Sequence, residues 1–202
     1  MESIVRTRAG LVTASLAALA LSACGGGGQS LAERTAAARA AQEAAAQKAR
    51  EASLARIEAQ RLAALWQYQQ ATVGGGRQRT AAILARDKVD VDGRGPTPVL
   101  LVFRDHQKWG RSSYLVLQGG DFACRPKCTV TVTVDGDPPE QFAAWRPNTN
   151  EAIAMFIRDS ATLWRRAGDG DHITIAFPVK AGGTRTATFE VAGLDQAQMP
   201  GW

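Results

Sequence analysis

A cysteine pair, two histidine–aspartate pairs, three acidic turns and several turn-borne aromatics are the groups here whose type and spacing suit chemistry. Cys124-Arg125-Pro126-Lys127-Cys128 is the sharpest of them. Thioredoxin-type redox centres use CxxC, one residue shorter. A zinc site needs two further ligands, and the only histidines are His106 and His172. With Pro126 bending the middle, a local disulfide clipping a hairpin is the favoured expectation. For hydrolysis, His106 with Asp105 or His172 with Asp171 could serve Ser112 or Ser113. No G-x-S-x-G elbow and no HExxH motif accompanies them, so both histidines are expected to be solvated surface residues. Asp90-Val91-Asp92-Gly93, Asp135-Gly136-Asp137 and Asp169-Gly170-Asp171 offer paired carboxylates, but none completes a calcium loop. Asp-Gly is also ordinary hairpin chemistry, and no metal is expected. Gly74-Gly75-Gly76 lacks the lysine of a phosphate loop and the spacing of a dinucleotide fingerprint, so no cofactor is expected. Among Trp109, Tyr114, Trp145 and Trp164, core packing accounts for Trp164 and Trp145. Trp109, in a turn between Lys108 and Gly110, is the candidate ligand contact, with Lys108 and Arg111 beside it.

Cys24 belongs to a different kind of signal. Arg6 and Arg8, the apolar stretch from Gly10 to Leu21, and the small residues Ser22 and Ala23 form the three parts of a secretion signal over residues 1–23. The apolar run is too short to span a bilayer, which takes about 20 residues. Leu21-Ser22-Ala23-Cys24 resembles the bacterial lipobox, which implies that Cys24 is lipidated and becomes the mature first residue. Several acyl chains on one cysteine make a stable anchor where a single chain does not. Gly25, rather than aspartate, at the second mature position implies, by resemblance to sorted lipoproteins, the outer membrane, with the protein facing the periplasm. Cys124 and Cys128 then remain as an even pair in an oxidising compartment.

The formal net charge of the chain is +5. That is mildly basic, short of a dedicated nucleic-acid binder, and an envelope address argues against nucleic acid as well. Eight Lys or Arg against four Asp gather between Arg77 and Arg111. A solvated basic face is the first expectation, and attraction to anionic headgroups or cell-wall polymers the second.

These residues have to be positioned by the rest of the chain. Gly25 to Gly28 gives a glycine-rich leash over residues 24–30. Ser30-Leu31-Ala32-Glu33 has the form of a capping box. Ala, Glu, Gln, Arg and Lys then dominate to about Ala71, predicting a helix of roughly 60 Å. A helical tether is thus expected over residues 31–73, with Leu54, Ile57, Leu62, Leu65 and Trp66 as its docking face and the three glycines as its stop. An alanine-type coiled coil is the alternative.

A β-rich domain is expected over residues 74–202, with strands at Thr80–Ala85, Pro98–Phe103, Ser113–Leu117, Thr129–Val134, Gln141–Trp145, Ile173–Phe177 and Thr186–Val191. Cap residues Asn148 to Glu151 and the spacing of Ile153, Phe156, Ile157, Leu163 and Trp164 predict one amphipathic helix ending at Gly168. The fold class is α+β: a long N-terminal helix, then a mainly antiparallel sheet or sandwich with one packed helix.

Leu100 to Arg104, Val130 to Asp135, Trp145, the Phe156 segment, Thr188-Phe189-Glu190-Val191-Ala192-Gly193-Leu194 and Trp202 follow one another in an order that resembles envelope accessory proteins associated with type VI secretion. The likeness extends to small secreted domains with the same ending, covers roughly the last hundred residues, and implies no catalytic residue. The expected function is a membrane-anchored envelope lipoprotein whose domain binds or scaffolds an envelope protein or cell-wall partner. The alternative is an envelope hydrolase with a loop-borne site at Asp105, His106, Asp171 and His172.

Overall fold

The computed structural model describes residues 30–147 and 154–202. The signal segment, Cys24, the glycine leash, and the expected cap at Asn148 to Glu151 with Ile153 all lie outside the described residues.

The chain divides into two compact units, Met1–Gln47 and Lys48–Trp202. In the first, the capping box forms as its spacing requires. Ser30 N donates to Glu33 Oε2 at 2.8 Å and Glu33 N donates to Ser30 Oγ at 3.3 Å, opening helix α1 (Leu31–Ala64). No residue of α1 is buried, as expected of an alanine-rich surface with few large apolar side chains.

In the second unit the helix stops at Ala64, seven residues before the predicted end. Trp66–Val73 is a strand, β1, where the sequence predicted helix. Gly74 and Gly75 have φ of +54° and +69° and close a two-residue hairpin onto β2 (Gly76–Leu84), with Val73 opposite Gly76. Positive φ at both turn positions matches the right-handed strand twist, and glycine takes it without a steric cost. The three glycines therefore turn a hairpin rather than stop a helix. Of the predicted docking face, Leu62 and Leu65 are half-buried and Trp66 is buried, whereas Leu54 and Ile57 stay exposed. Arg61 pairs with Glu190, and a Cβ on Gly193 would strike the backbone of Leu62.

The remaining strands are β3 (Val99–His106), β4 (Gly110–Leu117), β5 (Cys128–Val134), β6 (Glu140–Trp145), β7 (Ala154–Ile157), β8 (His172–Pro178) and β9 (Thr184–Glu190). All nine join one antiparallel sheet in the order β1-β2-β3-β4-β7-β6-β5-β8-β9. One face of every strand contributes to a single core, from Ile83, Leu101 and Phe103 through Leu115, Met155 and Phe142 to Val132, Ile175 and Phe189. Period-two alternation puts the valines of β5 inside and its threonines on the other side, Thr129 exposed and Thr131 and Thr133 half-exposed, as predicted. The sheet curls: Trp66 Nε1 at the β1 edge donates to Val191 O just beyond β9, and Arg86 N donates to Thr188 O at 2.7 Å.

Helix α2 (Ser160–Asp169) buries Leu163, Trp164 and Ala167 against this core. It is shorter than predicted, because Ala154–Ile157 is strand. Met155 and Ile157 face inward and Phe156 outward, a strand alternation that four apolar residues cannot distinguish from a helix turn. The helix runs through Gly168 to Asp169, where Gly170 N caps Arg166 O.

Cys124 and Cys128 form the disulfide, with Cα atoms 4.8 Å apart and Cys124 fully buried. Closing so short a loop stabilises the fold by about 2 kcal/mol in the chain-entropy account. Urea unfolding with and without reductant should differ by about that amount. Unreduced, denatured protein should show no alkylation at either position, and stoichiometric alkylation of both would contradict the bond. Nearby, Asp121 accepts from Arg146 Nε at 2.6 Å and Lys180 Nζ at 3.0 Å, while Arg146 N donates to Cys124 O. This ion-pair cluster joins the loop after β4 to the ends of β6 and β8.

Candidate functional site

The outer face of the sheet carries an aromatic row that the chain order conceals. Val102, Tyr114, Phe156 and Trp145 sit directly opposite one another across β3, β4, β7 and β6. Directly opposed residues on one sheet face are close enough to touch. The Tyr114 and Phe156 rings are 5.0 Å apart and the Phe156 and Trp145 rings 5.2 Å apart. One pair further along, Arg104 holds its guanidinium 5.7 Å from both Tyr114 and Phe156 and 5.6 Å from Trp109. Its Nε donates to Ser112 Oγ at 3.0 Å, which fixes the plane. Arg158 covers Trp145 at 5.0 Å. Cation and ring quadrupole attract in this arrangement, so the row is both aromatic and positively charged. Burial pushes the Tyr114 hydroxyl pKa up, more than the Arg104 charge pulls it down, and the phenol stays a neutral donor.

A trough of about 340 Å³ runs beside the row, floored by Leu100, Val102 and Val116 and rimmed by Gln67, Gln69, Gln78 and Thr80. Alternation on β1 and β2 explains the rim: Trp66 and Ile83 go inward, and the amides between them go outward.

Trp109 ends the row. Its side is 55% exposed, and its ring stacks on His106 at 3.8 Å. His106 is therefore buried, contrary to the solvated position expected. Its Nε2 lies 2.9 Å from Val73 O, and its Nδ1 accepts from Lys108 N and Trp109 N, which assigns the proton to Nε2. With both nitrogens committed, this ring braces two turns and has no lone pair left for a base. Gly76 makes the space, since a Cβ there would sit 2.8 Å from His106 Cε1. His172 is exposed, as expected, beside Asp135, whose carboxylate accepts from Asp171 N and His172 N. Those backbone donors, Asp171 first, hold the Asp135 carboxyl below its ordinary pKa. Ser112 is taken by Arg104, and Ser113 Oγ donates to Ile157 O and lies 3.2 Å from Ser160 Oγ. Among the described residues no group of three His, Cys, Asp or Glu side chains clusters for a metal ion.

The three residues expected to contact a ligand separate. Trp109 belongs to the outer row, Lys108 Nζ donates to Gly74 O at 3.1 Å, and Arg111 lies on the opposite face over the Trp202 ring. There, past the end of the core, Arg79, Asp105 and Arg111 are aligned across β2, β3 and β4. Trp164 is core, as expected. Trp145 is not: it is half-exposed on the outer row. Arg104, Phe156 and Arg158 were missed. The outward phase of Phe156 in a strand reading of Ala154–Ile157 is the signal that would have found it. No protein-family model, no curated protein and no solved structure matches this chain.

Proposed function

We propose that this protein is an outer-membrane lipoprotein, anchored through Cys24, whose sheet domain is a non-enzymatic binding module for an acidic cell-wall glycan. One observation carries the binding part: a single guanidinium, that of Arg104, lies 5.6–5.7 Å from the rings of Trp109, Tyr114 and Phe156 on a half-exposed sheet face. Aromatic faces supply contact area to sugar rings at low entropic cost. Arg104 and Arg158 supply charge to carboxylates, and the Gln67, Gln69 and Gln78 amides supply both donors and acceptors for hydroxyls. The hydrolase alternative draws no support from His106, whose two ring nitrogens are already bonded.

The anchor is tested by fractionation. Cys24→Ser should move the protein from the outer-membrane fraction to the soluble periplasm, since the loss of the acyl chains removes the stable attachment. Retention of Cys24→Ser in the membrane fraction would contradict a lipid anchor. The binding part is tested by titrating an acidic glycan fragment while following tryptophan fluorescence, which should respond through Trp109 and Trp145.

A further inference from the structure

We propose that the opposite face of the sheet, beyond the end of the core, holds a second site that binds a phosphate group between Arg79, Arg111 and Arg165. This goes beyond the glycan reading and uses none of its residues. A cavity of about 420 Å³ there is lined by Arg111, Arg165, Trp164, Trp202, Asp169 and Gln196, with Ala161 at its edge. A neighbouring one of about 190 Å³ is lined by Arg77, Arg79, Asp105 and Gln107. The two are joined by register: Arg79 is opposite Asp105 and Asp105 is opposite Arg111, so the three side chains share one cross-strand row.

The state of these cations is the telling feature. Some arginines of the domain are matched to carboxylates, Arg61 with Glu58 and Glu190, Arg86 with Asp87, Arg146 with Asp121 and Arg166 with Glu140, whereas among the described residues Arg104 and Arg158 on the outer face, like those of this basin, are not. Among the described residues, no carboxylate lies within ion-pair distance of Arg77, Arg79, Arg111 or Arg165. Asp105 and Asp169 line the cavities without reaching them. Four guanidiniums outnumber the side-chain carboxylates that line the same cavities, so the basin suits an anion such as a phosphate monoester, which carries about −1.5 to −2 at neutral pH. Guanidinium forks match carboxylate and phosphate oxygens bidentately, and a phosphate offers three acceptor oxygens to several guanidiniums where a carboxylate offers two. Trp202, whose ring Arg111 covers at 5.9 Å, also carries the buried indole N–H that has no acceptor among the described residues.

The phosphate could arrive on a soluble ester or on a phospholipid headgroup, and the experiment separates the two. Full-length Cys24→Ser protein is titrated by calorimetry with inorganic phosphate at low salt. In parallel it is sedimented with phosphatidylcholine vesicles that contain or lack phosphatidic acid. Arg79→Gln, Arg111→Gln and Arg165→Gln are compared with Arg104→Gln on the other face, all checked for unchanged thermal unfolding. Arg111 is exposed and Arg79 and Arg165 half-exposed or exposed, so these changes leave the core intact, and three independent variants guard against one that misfolds. Saturable phosphate binding weakened at least about tenfold by each basin variant, and unaffected by Arg104→Gln, is the expected result. Vesicle binding that needs phosphatidic acid and is lost in the same variants identifies a headgroup source. Its absence alongside phosphate binding identifies a soluble ester. No saturable binding in either arm, or binding insensitive to all three basin substitutions, overturns the proposal. Because Arg104 is the control, failure here leaves the glycan site standing, and failure there leaves this one.

Discussion

Trp66→Ala should lower the free energy of unfolding by about 4 kcal/mol, the usual cost of removing a large buried aromatic. Trp66 is 5% exposed, lies 6.2 Å from Phe103 ring to ring, and donates its indole N–H to Val191 O across the gap between the first and last strands. The substitution removes that packing and strips the carbonyl of its donor. Trp66→Phe should recover most of the loss, because it keeps the ring and sacrifices only the hydrogen bond. Leu54→Ala, at a position 67% exposed on α1, should change stability by less than about 0.5 kcal/mol. Both residues belong to the same apolar stripe if Trp66 is helical. Comparable losses at the two positions in urea titrations would therefore contradict the strand.

Asp121→Ala is the second large effect, a loss of about 3 kcal/mol at neutral pH. Its partner Arg146 has a side chain only 7% exposed, so removing the carboxylate leaves a guanidinium in a poorly hydrated place. Burial alone would raise the Asp121 pKa, but the Lys180 and Arg146 bonds and charges outweigh it and hold the carboxyl below its ordinary value. The sign of the pH dependence follows. A carboxyl whose folded pKa is depressed contributes stability that is fully present above the unfolded value of about 3.9 and is lost as pH falls through the folded value. The stability difference between wild type and Asp121→Ala should therefore be constant near neutrality and shrink as the pH drops below about 4. A difference that stays the same into strong acid would mean that the cluster acts by packing rather than by charge.

Much of the sheet was legible in the sequence, and the exceptions have physical causes. Thr129–Val134 reads as a half-buried strand because each valine is preceded by a threonine, and Val130, Val132 and Val134 are indeed in the core. The β8–β9 hairpin is legible from two β-branched runs and the glycines between them. By contrast, Trp66–Val73 follows directly on a long run of helix formers and contains three glutamines. Its strand state is decided by pairing with β2, a tertiary term that local propensity does not contain. Ala154–Ile157 is too short for its period to be assigned and takes its identity from lying between β4 and β6.

The candidate site was legible only at its end. Trp109 stands out because a large aromatic in a turn has few reasons to be there. Arg104, Tyr114, Trp145 and Phe156 come from four strands, and only the spatial order β3-β4-β7-β6 makes them neighbours. Strand order depends on long-range pairing, so nothing local to Arg104 marks it as the centre of an aromatic cluster. The same reasoning explains His106. Its neighbours in sequence suggest an exposed turn, whereas its burial comes from Gly76 on the adjacent hairpin and from the Trp109 ring.

Co-sedimentation with insoluble, protein-free cell-wall sacculi tests the binding role most directly, using full-length Cys24→Ser protein so that no lipid contributes. Wild-type side chains on the outer row should give saturable binding. The double substitution Arg104→Gln with Tyr114→Ser should weaken it at least about tenfold, having removed one charge-assisted contact and one ring, while the melting temperature shifts by no more than a few degrees. Binding by the double variant as tight as that of the parent, or no binding by the parent at all, would contradict a glycan-binding role for this face.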